Sequence, residues 1–200
     1  HMEIQDYAQR EREIIDRHKE FQYNIYRKTF NPETRTFGPS ELVLDAKAMG
    51  RSATFPRISP DGRYLLFGMG EYGCFHIWHK DADIYCIDLL SGNTSQMTAL
   101  NSGDVESYHS WSGNSRWMVV SSRRGDGLYT RPYISYVDED GQAHKPFLLP
   151  QKNPKKYYDS QMFSYNIPEF IEGEIDLTGR QIADFAAEAD KVQVMYKNND

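Results

Sequence analysis

From Phe21 to about Pro150 the chain alternates short runs of Tyr, Ile, Val, Thr and Phe with clusters of turn residues. Such runs, bounded by Gly, Pro, Asn, Asp and Ser, predict β-strands. Before Phe21 the texture is charged. Ile4, Tyr7, Ile14, Ile15 and His18 recur there at helical spacing, which predicts a short amphipathic helix. After Pro150 the strand pattern lapses. Asn153 to Asp159 is polar and basic and reads as a loop. Thr178 then caps a second predicted helix, with Ile182, Phe185, Ala186, Ala189 and Val192 along one face. That helix is expected to cover apolar surface, either the open side of the last strand unit or a partner.

The strand region contains a repeat, and the repeat predicts the fold. Phe55-Pro56-Arg57-Ile58-Ser59-Pro60-Asp61-Gly62-Arg63-Tyr64-Leu65-Leu66-Phe67 reads strand, tight turn, strand. In the turn, Pro presets φ, Asp bonds its own backbone and Gly accepts positive φ. Fifty-three positions on, Tyr108-His109-Ser110-Trp111-Ser112-Gly113-Asn114-Ser115-Arg116-Trp117-Met118-Val119-Val120 has the same grammar. The second halves also match. Asp83 to Asp88 followed by Ser91-Gly92 corresponds to Tyr133 to Asp138 followed by Asp140-Gly141. Their offset is shorter, which puts an indel in the loop between second and third strands, longer in the first unit (about Gly70 to Ala82). A weaker copy of the second half precedes both: Asn24 to Thr29, then Asn31 to Thr34, then Glu41 to Leu44.

About four strands in about fifty residues is the size of a propeller blade. The expected fold is therefore all-β, a partial β-propeller of about two and a half four-stranded blades with short N- and C-terminal helices. Its segments are a helical stretch over 1–20, a half blade over 21–50, blades over 51–101 and 106–150, and a tail with the C-terminal helix over 151–200. The competing fold is a set of tandem hairpins in another all-β architecture. An arc of this size cannot close a ring of four to eight blades. It leaves strand edges open to pairing, so the expected partners include the remainder of a longer propeller or further copies of the chain.

Composition narrows the function. Hydrophobic residues are 39% and charged residues 26%, enough for a packed core. Aromatics reach 14%, in keeping with strands. The net charge of −6 argues against nucleic acid as a partner. No apolar run is long enough to span a bilayer. Cys74 and Cys86 cannot form a disulfide framework; a single bridge and two reduced thiols are the readings open to them. No export signal is visible, and the opening His1-Met2 reads as a cloning remnant, which leaves export open.

The Ser-Pro-Asp-Gly-Arg turn followed by Tyr-Leu-Leu-Phe, with the later Asp-Ile-Tyr-Cys-Ile-Asp-Leu and Ser-Gly, resembles the WD40-like (PD40) repeat of TolB-type propellers. The chain is more similar still to a group of TolB-like proteins of secreted or periplasmic type. His109 to Ser112, Ser121 to Arg124, Tyr129 to Arg131 and Asn166 to Phe170 carry that likeness. It covers about residues 21–175. Gly113-Asn114-Ser115 departs from the repeat by replacing Pro-Asp-Gly. The resemblance implies a propeller and an envelope location, periplasmic or at the cell surface. One fold hosts many functions, so it says little about activity.

Three groups of side chains are candidates for chemistry. His76 and His79, with Asp81 or Asp83, lie in the long loop and could ligate a divalent metal, although their spacing matches no zinc motif; the alternative is an aromatic-rich loop packed on its blade. Asp83 would then bond turn backbone. His109 and Trp111 lie two apart on an innermost strand and so point to one side, toward a channel ligand or a neighbouring blade. Arg123, Arg124 and Arg131, with Tyr129, could bind a carboxylate, phosphate or sugar, or else be solvated charge. Asn93-Thr94-Ser95 fits a glycosylation pattern by chance. Neither a nucleophile elbow nor a phosphate loop, zinc-protease or dinucleotide motif is present. The expected function is a non-catalytic binding or scaffold module for a protein or glycan, with no obligatory cofactor. The alternative is a carbohydrate-active lyase or hydrolase, which clustering of His76, His79 and His109 would favour.

Overall fold

The tight turns carry the repeat into three dimensions. In the first, the Ser59 amide donates to the Tyr64 carbonyl (2.8 Å) and the Tyr64 amide to Ser59 Oγ (2.9 Å), while Asp61 Oδ1 accepts from Ser59 Oγ and the Arg63 amide. In the second, Ser112, Asn114, Arg116 and Trp117 make the same four bonds. Gly62 has φ of 77°, and its counterpart Ser115 has φ of 58°. The substituted turn thus keeps its shape with a side chain in the left-handed region. Ser115 Oγ, buried, accepts the Asp61 amide at 3.0 Å and ties the two turns together.

The computed structural model describes residues 7–188 and comprises two compact units, His1–Phe170 and Ile171–Asp200. In the first unit, helix α1 (Tyr7–Asp16) and a 3-10 turn (His18–Glu20) precede a hairpin of β1 (Ile25–Arg27) and β4 (Glu41–Leu44). A small hairpin of β2 (Phe30–Asn31) and β3 (Thr36–Phe37) extends its tip. Ile4, expected on the first helix, lies outside the described residues.

Two four-stranded antiparallel sheets follow. One runs β5 (Ser52–Ile58), β6 (Tyr64–Gly70), β7 (Asp83–Asp88), β8 (Thr94–Gln96). The next runs β9 (Glu106–Trp111), β10 (Trp117–Ser122), β11 (Arg131–Tyr136), β12 (Phe147–Leu148). Each is an up-and-down meander with strands in sequence order. Two such sheets packed face to face, with the β1/β4 hairpin on the other side of the first, form a partial β-propeller. The β6–β7 connection is the longer one, spanning 71–82 against 123–130 between β10 and β11.

Side-chain alternation explains the packing. Tyr64, Leu66, Ile84 and Cys86 face the second blade and meet Met118, Val120 and Val137. Leu65, Phe67, Met69 and Ile87 face the other way and meet Ile25, Leu44 and Ala53. The middle blade is therefore covered on both faces, and all seven residues of β6 are buried. That is why β6 reads as an unbroken apolar run. Cys86 sits in the inter-blade core, where burial pushes its thiol up to about 12. Both cysteines are free thiols.

The far face of the second blade is lined by hydroxyls, and the stretch Tyr158–Pro168 covers it. Ser121 Oγ donates to the carbonyls of Tyr165 and Asn166, Ser110 Oγ to that of Pro168, and Thr130 Oγ1 to that of Tyr165. The expected loop at Asn153 to Asp159 is instead helix α2 (Pro154–Asp159). Asn153 caps it by accepting the Lys156 amide, and Pro154 stands in the first turn, where its missing N–H has no cost. In the second unit, helix α3 spans Gly179–Glu188, with Thr178 Oγ1 accepting the Gln181 amide. Ala189 and Val192, expected on it, lie outside the described residues. Among those described, no helix is long and apolar enough to cross a membrane.

Candidate functional site

The antiparallel order brings certain connections to one end. β5 and β9 start there, β6 and β10 end there, and loops 71–82 and 123–130 leave from there. His76, His79, Asp81, Arg123, Arg124, Tyr129 and Arg131 all belong to this loop end. His109 and Trp111 lie farther along β9.

In the 71–82 loop, a 3-10 turn (His76–Trp78) folds His76 inward. Its ring is fully buried against Gly70, and its Nε2 lies 2.9 Å from the Gly73 carbonyl. Burial lowers its pKa. The His79 ring lies 5.3 Å from that of His76 and 4.6 Å from Tyr72, and its Nδ1 is 4.0 Å from Asp81. Asp81 Oδ2 accepts the Glu71 amide at 2.7 Å, and its carboxylate faces Arg51. The three are neighbours that pack the loop. Among the described residues, no group of three or more His, Cys, Asp or Glu side chains is arranged to hold a metal ion. Asp83 does not bond turn backbone as expected: its Oδ2 accepts Gln96 Nε2 at 2.6 Å. Burial, followed by the charge of Glu106, raises its pKa.

Arg123 and Arg124 are not surface charges. Arg123 is 7% exposed, donates from Nε to Asp104 Oδ1 at 3.2 Å, and lies 5.3 Å from the Trp78 ring centre. Arg124 donates from Nη2 to Glu106 Oε1 (2.8 Å) and the Leu100 carbonyl (2.6 Å), and lies over Tyr133. Glu106 was not among the candidates read from sequence, yet it is the hub. Fully buried, it also accepts Ser102 Oγ at 2.6 Å and Ser122 Oγ at 2.7 Å. A signal existed: Asp104 and Glu106, two apart, match the charges of the adjacent pair Arg123-Arg124.

Arg131 heads a different cluster. It is 5% exposed and donates to the carbonyls of Phe163, Tyr158 and Gln161 at 3.0–3.3 Å. Asp126 is 3.6 Å away, and the Tyr129 ring centre lies 5.1 Å from the guanidinium. Arg131, Asp126, Tyr129, Tyr133, Tyr158 and Gln161 line a groove of about 590 Å³. The three arginines therefore serve separate partners.

His109 and Trp111 both point at the first blade. Trp111 Nε1 donates to the Arg57 carbonyl at 3.2 Å, and Trp111 lines a shallow 280 Å³ groove with Arg57, Pro60, Ser110, Glu169 and Phe170. His109 is 2% exposed, and neither ring nitrogen has a hydrogen-bond partner among the described residues. Burial drives its pKa down to about 4. Just before it, Tyr108 has φ of 46° at a β-bulge, and Phe55 has φ of 52° at the equivalent bulge of β5. Their rings meet at 4.8 Å. Bulges of this kind re-aim side chains on an edge strand.

No family model matches this chain, and a search of curated proteins returns no match. Among solved structures it is similar to the β-propeller domain of the Trilobed protease from Pyrococcus furiosus, described as revealing an open velcro topology. The identity is 15% and the TM-score 0.37, over 66% of this chain and 44% of that one, so this chain spans under half the length of that neighbour.

Proposed function

We propose that this chain is a non-catalytic binding or scaffold module that recognises a protein or glycan partner through its loop end. The observation that carries this reading is a contrast between reactive and apolar side chains there. His76 is buried, while Arg123 and Arg124 pair with buried carboxylates. Phe75, Trp78 and Leu128 stand 66%, 69% and 66% exposed. Exposed aromatic and apolar groups over a rigid, internally paired base suit recognition. The lyase or hydrolase alternative calls for a general acid or base facing substrate. His109, buried between blades, is poorly suited to that role. An envelope location, periplasmic or at the cell surface, and membership of the TolB-like group belong to the same proposal. Their support is the Ser-Pro-Asp-Gly-Arg repeat and the steps at His109 to Ser112 and Asn166 to Phe170.

The test is a paired assay on the intact chain: retention of envelope proteins and polysaccharides on the immobilised protein, and product release from whatever polysaccharide is retained. Retention without new reducing or unsaturated ends is expected, and retention should fall in Trp78→Ala. Turnover by wild type that is abolished in His79→Ala would replace this reading with the enzyme.

A further inference from the structure

We propose that the groove between the β10–β11 loop and helix α2 is a binding site for a neutral saccharide. This rests on the binding-module reading above and names a ligand class and a place for it.

The groove presents two half-buried tyrosine rings, Tyr129 and Tyr133, each backed by an arginine, with buried Tyr158 behind them. The guanidinium of Arg131 lies 5.1 Å from the Tyr129 ring centre and 5.8 Å from that of Tyr158. That of Arg124 lies 4.7 Å from the Tyr133 ring centre. Both arginines are anchored on protein carbonyls, Arg131 on those of Phe163, Tyr158 and Gln161, and Arg124 on that of Leu100. The tyrosines are thereby held by groups that cannot move freely, which is the preorganisation a weak ligand needs. The polar part is fixed as well. Asp126 Oδ1 accepts the amides of Leu128 and Tyr129, both at 2.8 Å. Its Oδ2 faces Arg131 at 3.6 Å without a hydrogen bond, so it remains an acceptor for a ligand hydroxyl.

Charge selects the ligand class. Asp126 and Asp159 line the groove, no lysine does, and the Nη donors of Arg131 already point into protein carbonyls. An anion meets two carboxylates already matched to cations, Asp126 to Arg131 and Asp159 to Lys155, and no free fork to bind it. A cation meets the buried guanidinium of Arg131, which already lies over the rings it would seek. A neutral polyol meets neither penalty. Its C–H face can lie on tyrosine and its hydroxyls can donate to the fixed carboxylate. The volume of about 590 Å³ falls in the ordinary range for small-ligand sites.

The experiment is calorimetric titration of the full chain with maltotriose, cellotriose, xylotriose and chitotriose at millimolar concentration, with oligogalacturonate as the charged comparison. Binding of at least one neutral trisaccharide is expected. Tyr129→Ala should weaken it about tenfold or more, and Tyr129→Phe should keep most of it. Asp126→Asn, which retains the Oδ1 acceptor for the loop amides, should also weaken it. Leu90→Ala, 81% exposed between β7 and β8 at the opposite end, should leave it unchanged, and unchanged thermal melts establish that each variant folds. If binding is lost in Trp78→Ala and kept in Tyr129→Ala, the groove assignment fails while the loop-end reading stands. No binding of any neutral trisaccharide, or stronger binding of oligogalacturonate, overturns the proposal.

Discussion

Gly92 and Gly141 stand at the same step of two consecutive repeats, both with φ of 75°. Their surroundings differ. Nothing lies within 4 Å of a Cβ built on Gly92, whereas one on Gly141 would come within 2.3 Å of Tyr64 Cε1. Gly92→Ala should cost only backbone strain, about 1 kcal/mol. Gly141→Ala should cost about 2–4 kcal/mol, because Tyr64 is core and its hydroxyl donates to the Glu139 carbonyl. Paired urea melts of the two variants measure the difference. His109 makes a second residue-level test. The unfolded imidazole takes up its proton near pH 6.5, while the folded one stays neutral down to about 4. Its contribution is therefore fully present above about pH 6.5 and is lost as pH falls toward 4, by roughly 3 kcal/mol. Urea midpoints measured across that window should drop with acid, and His109→Leu should flatten the drop.

At the scale of elements, the two blades are joined by different means at their two ends. At the tight-turn end, Arg63 and Tyr64 both donate to the Glu139 carbonyl, and Ser115 holds the Asp61 amide. At the loop end, Glu106 opens β9 with its amide on the Ala82 carbonyl and its carboxylate among Ser102, Ser122 and Arg124. Removing Glu106 takes away the one carboxylate that Arg124, Ser102 and Ser122 share, leaving a largely buried guanidinium with no counter-charge there. Glu106→Ala should destabilise the chain by about 3–5 kcal/mol, with a smaller loss in Glu106→Gln, as read by chemical denaturation. The serines of β9 and β10 do equivalent work on the far face, where an extended stretch supplies carbonyls in place of another apolar sheet.

At the scale of the whole propeller unit, the middle blade belongs to both cores. Tyr64 and Leu66 pack toward one neighbour while Leu65 and Phe67 pack toward the other. Neither flanking element can lose its packing without exposing a face of β6. Unfolding of the described blades should therefore be a single transition, with tryptophan fluorescence and far-ultraviolet circular dichroism coinciding. Leu66→Ala should move both probes together, by about 2–5 kcal/mol. Separate transitions would mean that each blade is stable alone.

Repeat grammar was legible without coordinates because it is local. Ser59-Pro60-Asp61-Gly62 and Ser112-Gly113-Asn114-Ser115 encode their turns through bonds between residues five positions apart or fewer, and strand alternation encodes which side chains share a face. Blade count, strand order and the long loop at 71–82 follow from that grammar. Helix α2 was missed because its Asn153 cap and Pro154 start sit in a polar stretch without an apolar stripe. The candidate site was legible only in part. His76, His79, Arg123, Arg124 and Arg131 were found by residue type, which says what chemistry a side chain can do. Tertiary structure decided whether that chemistry faces water or protein. It buried His109 between sheets, turned Arg124 onto Glu106 of the neighbouring strand, and set Arg131 on the carbonyls of the 158–163 stretch, because strand pairing, blade packing and the covering tail join residues whose separation along the chain carries no pattern.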